Sequence, residues 1–370
     1  MRQINQWFNG SKYIEPLSLS CRLCAEGKEL VLLVTGKCPA HCFYCPLSRK
    51  KLGKDVIYAD EWKLNNENDI NKLLKEAEYI EAKGAGITGG DPLVVWRRTK
   101  RYISLLKERF GNRFRIHLYT SGLKEGNHIS DLVSVGLDEI RFHPTPENWK
   151  NMDYSPIKKS IQIALDEDVD VAIEIPAIPG MENEVLSLIE WADGEGIKWI
   201  NLNELEFSET NCDKLMERGF DVKNDISAAA KRSEESAYYI IENVSKRSLD
   251  IGVHYCSSSF KDGIQLRNRI KRRAKNVAKP YELITNEGTL IIGIIMSRYI
   301  SLQTVNKLKQ QFSIPNKLIS FSKEKHRIEI AGWILDRIAN ELIKQGFECY
   351  ITEEYPTADR TEVERLPLPM

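Results

Sequence analysis

Short runs rich in aliphatic and β-branched residues alternate with longer stretches of helical period along the first two thirds of the chain. Strand-like runs fall at 29–36, 84–90, 115–122, 139–145, 170–180 and 199–209, and stretches with helical spacing at 67–83, 157–168 and 182–196 lie between them. Strands separated by crossovers long enough for a helix predict a parallel sheet, because parallel neighbours cannot be joined by a tight turn. Six such repeats predict an incomplete (β/α)6 barrel, with reactive groups at the carboxyl ends of its strands. A further helical segment and a strand-like run at 252–257 follow.

Pro280 breaks this pattern. Beyond it the order is strand (289–297), helix (302–312), strand (317–321), strand (326–330), helix (331–345) and strand (347–354). That βαββαβ order predicts a small α+β, ferredoxin-like C-terminal domain. The expected organisation is an N-terminal extension (1–28), a barrel (29–260), a basic linker helix (261–280), the ferredoxin-like domain (281–355) and an extended tail (356–370).

Charge and cysteine usage sharpen the picture. The 53 basic and 53 acidic residues cancel, so no overall field points to nucleic acid or an anionic membrane. No stretch approaches the ~18 apolar residues of a spanning helix, and no signal sequence is evident, so a cytoplasmic protein is expected. In that compartment thiols stay reduced, and five of the eight cysteines lie between positions 21 and 45, which points to metal.

Cys38, Cys42 and Cys45 follow directly on the first strand, in the segment CPAHCFYC. Three thiolates at x3 and x2 spacing can hold one 4Fe–4S cubane through three of its irons. The fourth iron is then left for a small molecule carrying an amine and a carboxylate. This loop resembles the motif of the radical S-adenosylmethionine (SAM) superfamily, in which an aromatic residue precedes the third cysteine. The resemblance implies reductive cleavage of SAM to a 5′-deoxyadenosyl radical, hydrogen abstraction from a substrate, and a one-electron donor such as ferredoxin or flavodoxin. It also places Tyr44 beside the adenine of SAM.

The second strand ends in Gly89, Gly90 and Asp91, similar to the glycine-rich motif that binds the methionine amine in that superfamily. A bulky side chain at Gly90 is therefore expected to weaken SAM binding and leave iron content intact. Thr120 and Ser121, at the next strand end, are candidate hydroxyl donors to the methionine carboxylate or ribose. The segments around Glu174 and Asn203 resemble the later strands of glycyl-radical-enzyme activases such as pyruvate formate-lyase activating enzyme. The segments CRLC, CPAHCFYCPLS and HYCSSSFKD are similar to those of a mainly archaeal group related to that enzyme.

Two features lie outside the motif. Cys21 and Cys24 form half of a tetrahedral site that His254 and Cys256 could complete, with Cys212 a more distant candidate, giving an expected second metal, zinc or iron–sulfur. Between Lys261 and Lys279 stand eight basic residues against Asp262 alone, and Ile270, Ala274 and Val277 at helical spacing predict an amphipathic helix. The extra C-terminal domain and this basic stretch together rank modification of RNA or of a protein chain above activation of a glycyl-radical enzyme. The alternative from another class is a zinc-dependent nucleic-acid-binding module built on Cys21, Cys24, Cys38 and Cys42.

Overall fold

The structure is a computed structural model that describes residues 1–225 and 227–369. The chain falls into two compact units. The first comprises Met1–Glu78 and Ala82–Leu266, and the second comprises Tyr79–Glu81 and the chain from Arg267 onward.

The first unit is built on one sheet. Its strands are β1 (Asn5–Gln6), β2 (Lys12–Ile14), β3 (Glu29–Thr35), β4 (Tyr58–Ala59), β5 (Trp62–Lys63), β6 (Gly84–Gly89), β7 (Arg115–Thr120), β8 (Glu139–Phe142), β9 (Asp170–Ala177), β10 (Trp199–Glu204) and β11 (Gly252–Cys256). Their spatial order is β1-β2-β11-β10-β9-β8-β7-β6-β3-β4-β5. From β3 to β11 the pairs along this order are parallel. The run at 252–257 thus joins the six predicted strands as a seventh, in register Trp199↔Gly252 with β10. Short antiparallel strands flank both ends of the parallel set, β2 on β11 and β4 on β3, which covers edges that would otherwise invite pairing with another chain.

Alternation along these strands separates two environments. Outward positions such as Leu30, Leu32, Ile87, Ile116, Leu118, Ile140, Phe142, Ile173, Ile175, Ile200, Leu202 and Val253 are fully buried apolar side chains. Each stabilises the packed state by about 1.5–3 kcal/mol. The crossover helices, among them Trp96–Phe110, Lys158–Leu165 and Glu182–Gly194, supply the opposing apolar stripe. Intervening positions are polar: Glu29 on β3, Arg115, His117 and Tyr119 on β7, Glu139 and Arg141 on β8, Glu174 on β9, Asn201 and Asn203 on β10, and His254 on β11. Parallel strands covered on both faces normally read as continuous apolar runs. Here the inner face is a polar lumen.

A short helix, α1 (Leu19–Ala25), precedes β3 and lies at the amino ends of the strands. Ser18 caps it by accepting from Ser20 N at 3.1 Å, and the same hydroxyl donates to Glu139 Oε2 at 2.7 Å. One serine therefore both starts α1 and anchors it to the lumen.

In the second unit the strands are β12 (Leu283–Ile284), β13 (Leu290–Met296), β14 (Ile319–Ser322), β15 (Arg327–Ile330), β16 (Glu348–Glu354) and β17 (Glu362–Pro367). The antiparallel order β14-β15-β13-β16, with helices Leu302–Gln311 and Gly332–Lys344 as crossovers, is the ferredoxin-like arrangement. Its core includes Ile292, Ile294, Ile328, Leu335 and Leu342. The segment expected as an extended tail pairs with β16 as strand β17.

The basic stretch forms the helix Arg267–Val277, whose Ile270 and Ala274 are buried as the spacing predicts. Its charges, however, are largely committed within the protein. Lys261 pairs with Glu206 at 2.8 Å, Arg267 with Glu287 at 3.1 Å, Arg272 with Glu81 at 3.0 Å and Lys279 with Glu329 at 2.8 Å. Arg273 is buried and lies 5.3 Å over the ring of Tyr79. The expectation of a free basic face for RNA is thereby corrected: the acids that neutralise it are remote in sequence.

Candidate active site at the carboxyl ends of the barrel strands

After β3 the chain leaves regular structure and carries Cys38, Cys42 and Cys45 across the rim of the barrel. Backbone and side-chain bonds hold this loop. Gly36 N donates to Lys54 O at 2.7 Å and Gly53 N to Gly36 O at 2.8 Å, while Asn211 Nδ2 holds Tyr44 O at 3.0 Å and Thr210 Oγ1 holds Leu47 O at 2.7 Å. A Cβ at Gly36 would lie 1.7 Å from Lys51 O, so only glycine lets the loop fold back here. All three thiols line one cavity of about 670 Å³, which reaches from the rim down to Glu29 and His117. Burial, first of all, pushes the Cys38 thiol up to about 12 and raises Cys42 as well. Among the described residues no three His, Cys, Asp or Glu side chains are set to hold a single metal ion. A cubane asks something else, one thiolate for each of three separate irons, and three thiols lining one cavity suit it.

The end of β6 is docked against this loop. Gly90 N donates to Thr35 O and Asp91 N to Lys37 O, both at 2.8 Å. Gly89 has φ +139°, and a Cβ at Gly90 would lie 2.3 Å from Lys37 O. The expectation that a bulky residue at Gly90 spares the iron is therefore corrected. Gly90→Val should push Lys37 and with it Cys38 out of place, so that iron per chain and SAM affinity fall together. Full iron loading with weakened SAM binding would contradict this.

Asp91 is also reassigned. It is fully buried, and its oxygens accept from Leu93 N (3.0 Å), Thr120 Oγ1 (2.8 Å), Ser121 N (3.1 Å) and Ser121 Oγ (2.5 Å). Burial still leaves its carboxyl raised above the usual range, against the lowering effect of those bonds. The side chain is a clasp joining the ends of β6 and β7, its two oxygens already occupied by four donors. Thr120 and Ser121 line the cavity, but both hydroxyl protons go to Asp91, so neither hydroxyl donates to a ligand carboxylate as the sequence suggested.

Tyr44 lines the cavity with its hydroxyl 2.9 Å from His143 Nε2. His143 Nδ1 lies 2.6 Å from the carbonyl oxygen of Glu174, so Nδ1 carries the proton and Nε2 accepts from Tyr44. Burial keeps His143 neutral by lowering its pKa. Sequence reasoning missed this residue, which fixes the aromatic ring beside the cysteines.

Lower in the lumen, Glu174 accepts from Arg141 NH1 (2.8 Å), Asn201 Nδ2 (3.0 Å) and Asn203 Nδ2 (2.8 Å). Burial opposes ionisation of Glu174, yet the guanidinium of Arg141 and these amides hold its carboxyl below the usual range. Glu174 and Asn203 both line the cavity. Arg141 also donates from Nε to Glu139 Oε1 (2.6 Å) and from NH2 to Ser18 Oγ (3.2 Å) and Cys21 Sγ (3.5 Å). The signal for this network was present as polar residues at every second position of strands that should be apolar.

The second cysteine set is only partly brought together. Cys21 Sγ and His254 Nδ1 share one acceptor, Asn201 Oδ1, at 3.8 and 3.3 Å. Cys256 instead packs with Ala25 and Phe260 and accepts from Gln265 Nε2 at 3.7 Å, and Cys24 lines the cavity. Burial pushes the Cys21 thiol up to about 11 and Cys256 up to about 12. The expected tetrahedral site is not assembled among the described residues, nor is a zinc site of Cys21, Cys24, Cys38 and Cys42. Cys212 lies apart, beside Asp213.

The profile of the radical SAM superfamily matches residues 32–192, and that of a domain of unknown function, DUF8061, matches residues 288–368. A Methanocaldococcus jannaschii protein named provisionally as a glycyl-radical enzyme activating enzyme is 42% identical over 371 residues, covering 96% of this chain and 95% of that protein. A GTP 3′,8-cyclase of Clostridium perfringens is 27% identical over 179 residues, and the match spans about half of either protein, 45% of this chain and 53% of the cyclase. Among solved structures, Streptococcus suis SuiB bound to precursor peptide SuiA aligns with a TM-score of 0.46 at 13% identity, over 69% of this chain and 58% of that one. The methyltransferase TsrM from Kitasatospora setae aligns at 0.38 and 10%, over 70% and 54%. With a near full-length relative at this identity and the cysteine loop at the strand ends, the chain belongs to the radical SAM superfamily.

Proposed function

We propose that this chain holds a 4Fe–4S cluster on Cys38, Cys42 and Cys45, binds SAM beside it, and acts on a polypeptide substrate. The observation that carries the reading is the single cavity on which the three thiols, the Gly89–Gly90 turn, Tyr44, Glu174 and Asn203 all open. A cluster held by these thiols would supply the electron for reductive cleavage of SAM to methionine and a 5′-deoxyadenosyl radical, the group that would take hydrogen from the substrate. The protein's own part is positional. Gly89 and Gly90 bring bare backbone to the rim, the His143 bond holds the Tyr44 ring, and the enclosed lumen excludes water from a reactive carbon.

A polypeptide is favoured as substrate by the name of the near full-length relative, which points to a glycyl-radical enzyme. RNA loses its support with the pairing of the basic helix. A second metal is not part of this reading. A ferredoxin- or flavodoxin-class protein would deliver the electron. No helix among the described residues is long and apolar enough to cross a membrane. A reducing cytoplasm suits the free thiols.

Isotope transfer tests the substrate. Reduced, cluster-loaded protein is incubated with SAM and with protein, RNA or small-molecule fractions from native cells grown in deuterated medium. Deuterium should appear in 5′-deoxyadenosine with the protein fraction. Transfer from the RNA or small-molecule fraction alone rejects a polypeptide substrate.

A further inference from the structure

The floor of the cavity carries polar atoms that the SAM chemistry does not use. Glu29, the first residue of β3, is 3% exposed, and neither of its carboxyl oxygens has a hydrogen-bond partner. His117 on β7 is 4% exposed, and its unpartnered Nδ1 lies 3.9 Å from Glu29 Oε2, too far for a direct bond. Both side chains line the same cavity as the cysteines. Each buried group left without a partner costs about 1–3 kcal/mol, so two of them on neighbouring residues that line a cavity call for a partner.

The strand between them is cut to make room. A Cβ at Gly84 would lie 2.7 Å from Glu29 Oε1, and one at Gly86 would lie 2.7 Å from His117 Nε2. Glycine at two alternate positions of β6 lets both side chains lie across it into the lumen.

Hydrogen bonding gives the pair its polarity. Arg141 NH1 donates to Tyr119 Oη at 3.3 Å, so the Tyr119 hydroxyl proton is directed at His117 Nε2, 3.0 Å away. His117 therefore keeps its proton on Nδ1 and offers an N–H beside the Glu29 carboxyl. A ligand fitting both presents an acceptor to His117 and a donor to Glu29. A cation would meet the imidazole N–H and the positive field of Arg141 and Arg115, whereas an anion would meet the charge of Glu139 behind a Glu29 carboxyl that burial holds well above the usual range, toward its neutral form. A neutral primary carboxamide has its carbonyl and amine on one edge and meets neither objection.

We propose that Glu29 and His117 form a subsite for a neutral carboxamide of the substrate, such as an Asn or Gln side chain, at the floor of the lumen. The assignment rests on the reading that this cavity is the substrate chamber, and deepens it.

Saturation-transfer NMR on the full chain tests it with acetamide, methylammonium and acetate as probes. Acetamide should bind, and the two ions should not. Glu29→Leu and His117→Phe should each weaken acetamide binding by about fivefold to tenfold, the loss of one hydrogen bond. Because the Glu29 oxygens are unpartnered, Glu29→Leu should also unfold at no lower temperature than the wild type, which a purely structural carboxylate would not allow. Acetamide affinity unaltered in both variants, a preference for either ion, silence from all three probes with water alone in the site, or a clear loss of stability in Glu29→Leu overturns the subsite. Protein that cleaves SAM but ignores acetamide loses the subsite alone, whereas protein that binds acetamide but makes no 5′-deoxyadenosine loses the proposed function alone.

Discussion

Cys42→Ala should reduce both iron–sulfur absorbance and 5′-deoxyadenosine formation to the level of an iron-free control. The reason is geometric. Three irons of a cubane each need their own thiolate, and the loop that presents Cys42 is tied down on both sides, by Gly36 to Lys54 before it and by Asn211 to Tyr44 after it. The nearest other cysteines belong to a different element: Cys24 lines the cavity from α1, before β3, and Cys21 is engaged with Arg141 and Asn201. Anaerobic reconstitution followed by ultraviolet–visible spectra and chromatography of the reaction mixture checks both readouts at once. SAM cleavage at the wild-type rate by the variant would end the assignment of Cys38, Cys42 and Cys45.

The second large effect is on stability. Arg141→Met should destabilise the fold by about 3–5 kcal/mol at neutral pH, because it removes the cation that bridges Glu139 and Glu174 in the lumen. The pH dependence has a definite sign. In the wild type the Glu174 carboxyl is held below its unfolded value, so its contribution is complete above that value and fades as the pH falls through the folded one. Without Arg141 the same buried carboxyl has only amides to hold its charge, and protonation relieves it. The deficit of the variant should therefore shrink from neutral toward acid pH. Urea unfolding at neutral pH and at about pH 4.5, close to the unfolded value of a glutamate, measures it. A loss below about 1 kcal/mol, or one that grows toward acid, would show that the network does not depend on this arginine.

What the sequence carried and what it withheld divide along a physical line. The parallel strands, the ferredoxin-like order and the cysteine loop are local signals: period, length, spacing and the breaks at Gly and Pro. Partner choice is not local. Asp91 reads as a ligand-binding carboxylate, and nothing near it in the chain reveals that Ser121, 30 residues on, will saturate it. The run from Lys261 to Lys279 displays its sign plainly, but Glu81, Glu206, Glu287 and Glu329, which neutralise it, sit on other elements. The HxC strand does return to the beginning of the chain, as β11 on β2. Yet the groups that meet Cys21 there are Arg141 and Asn201, from strands whose inward face the spacing alone did not specify. His143 was within reach of a finer reading, since Glu139, Arg141 and His143 put a polar residue at every second place of a buried parallel strand, which has to face something other than a helix, whereas Glu29 begins an otherwise apolar run.

The plug at the floor sets an order of events during synthesis. Helix α1 is translated before every parallel strand of the barrel, but its anchors are Glu139, Arg141 and Asn201, 120 to 180 residues later. Such distant closures come late, because chain entropy must be overcome before they are rewarded. The early segment therefore waits, unanchored, while the ribosome delivers the strands that will receive it, and the bottom of the lumen seals only after β10 has emerged. The cysteine loop shares this dependence, since Thr210 and Asn211, which hold Leu47 and Tyr44, follow β10 in the chain.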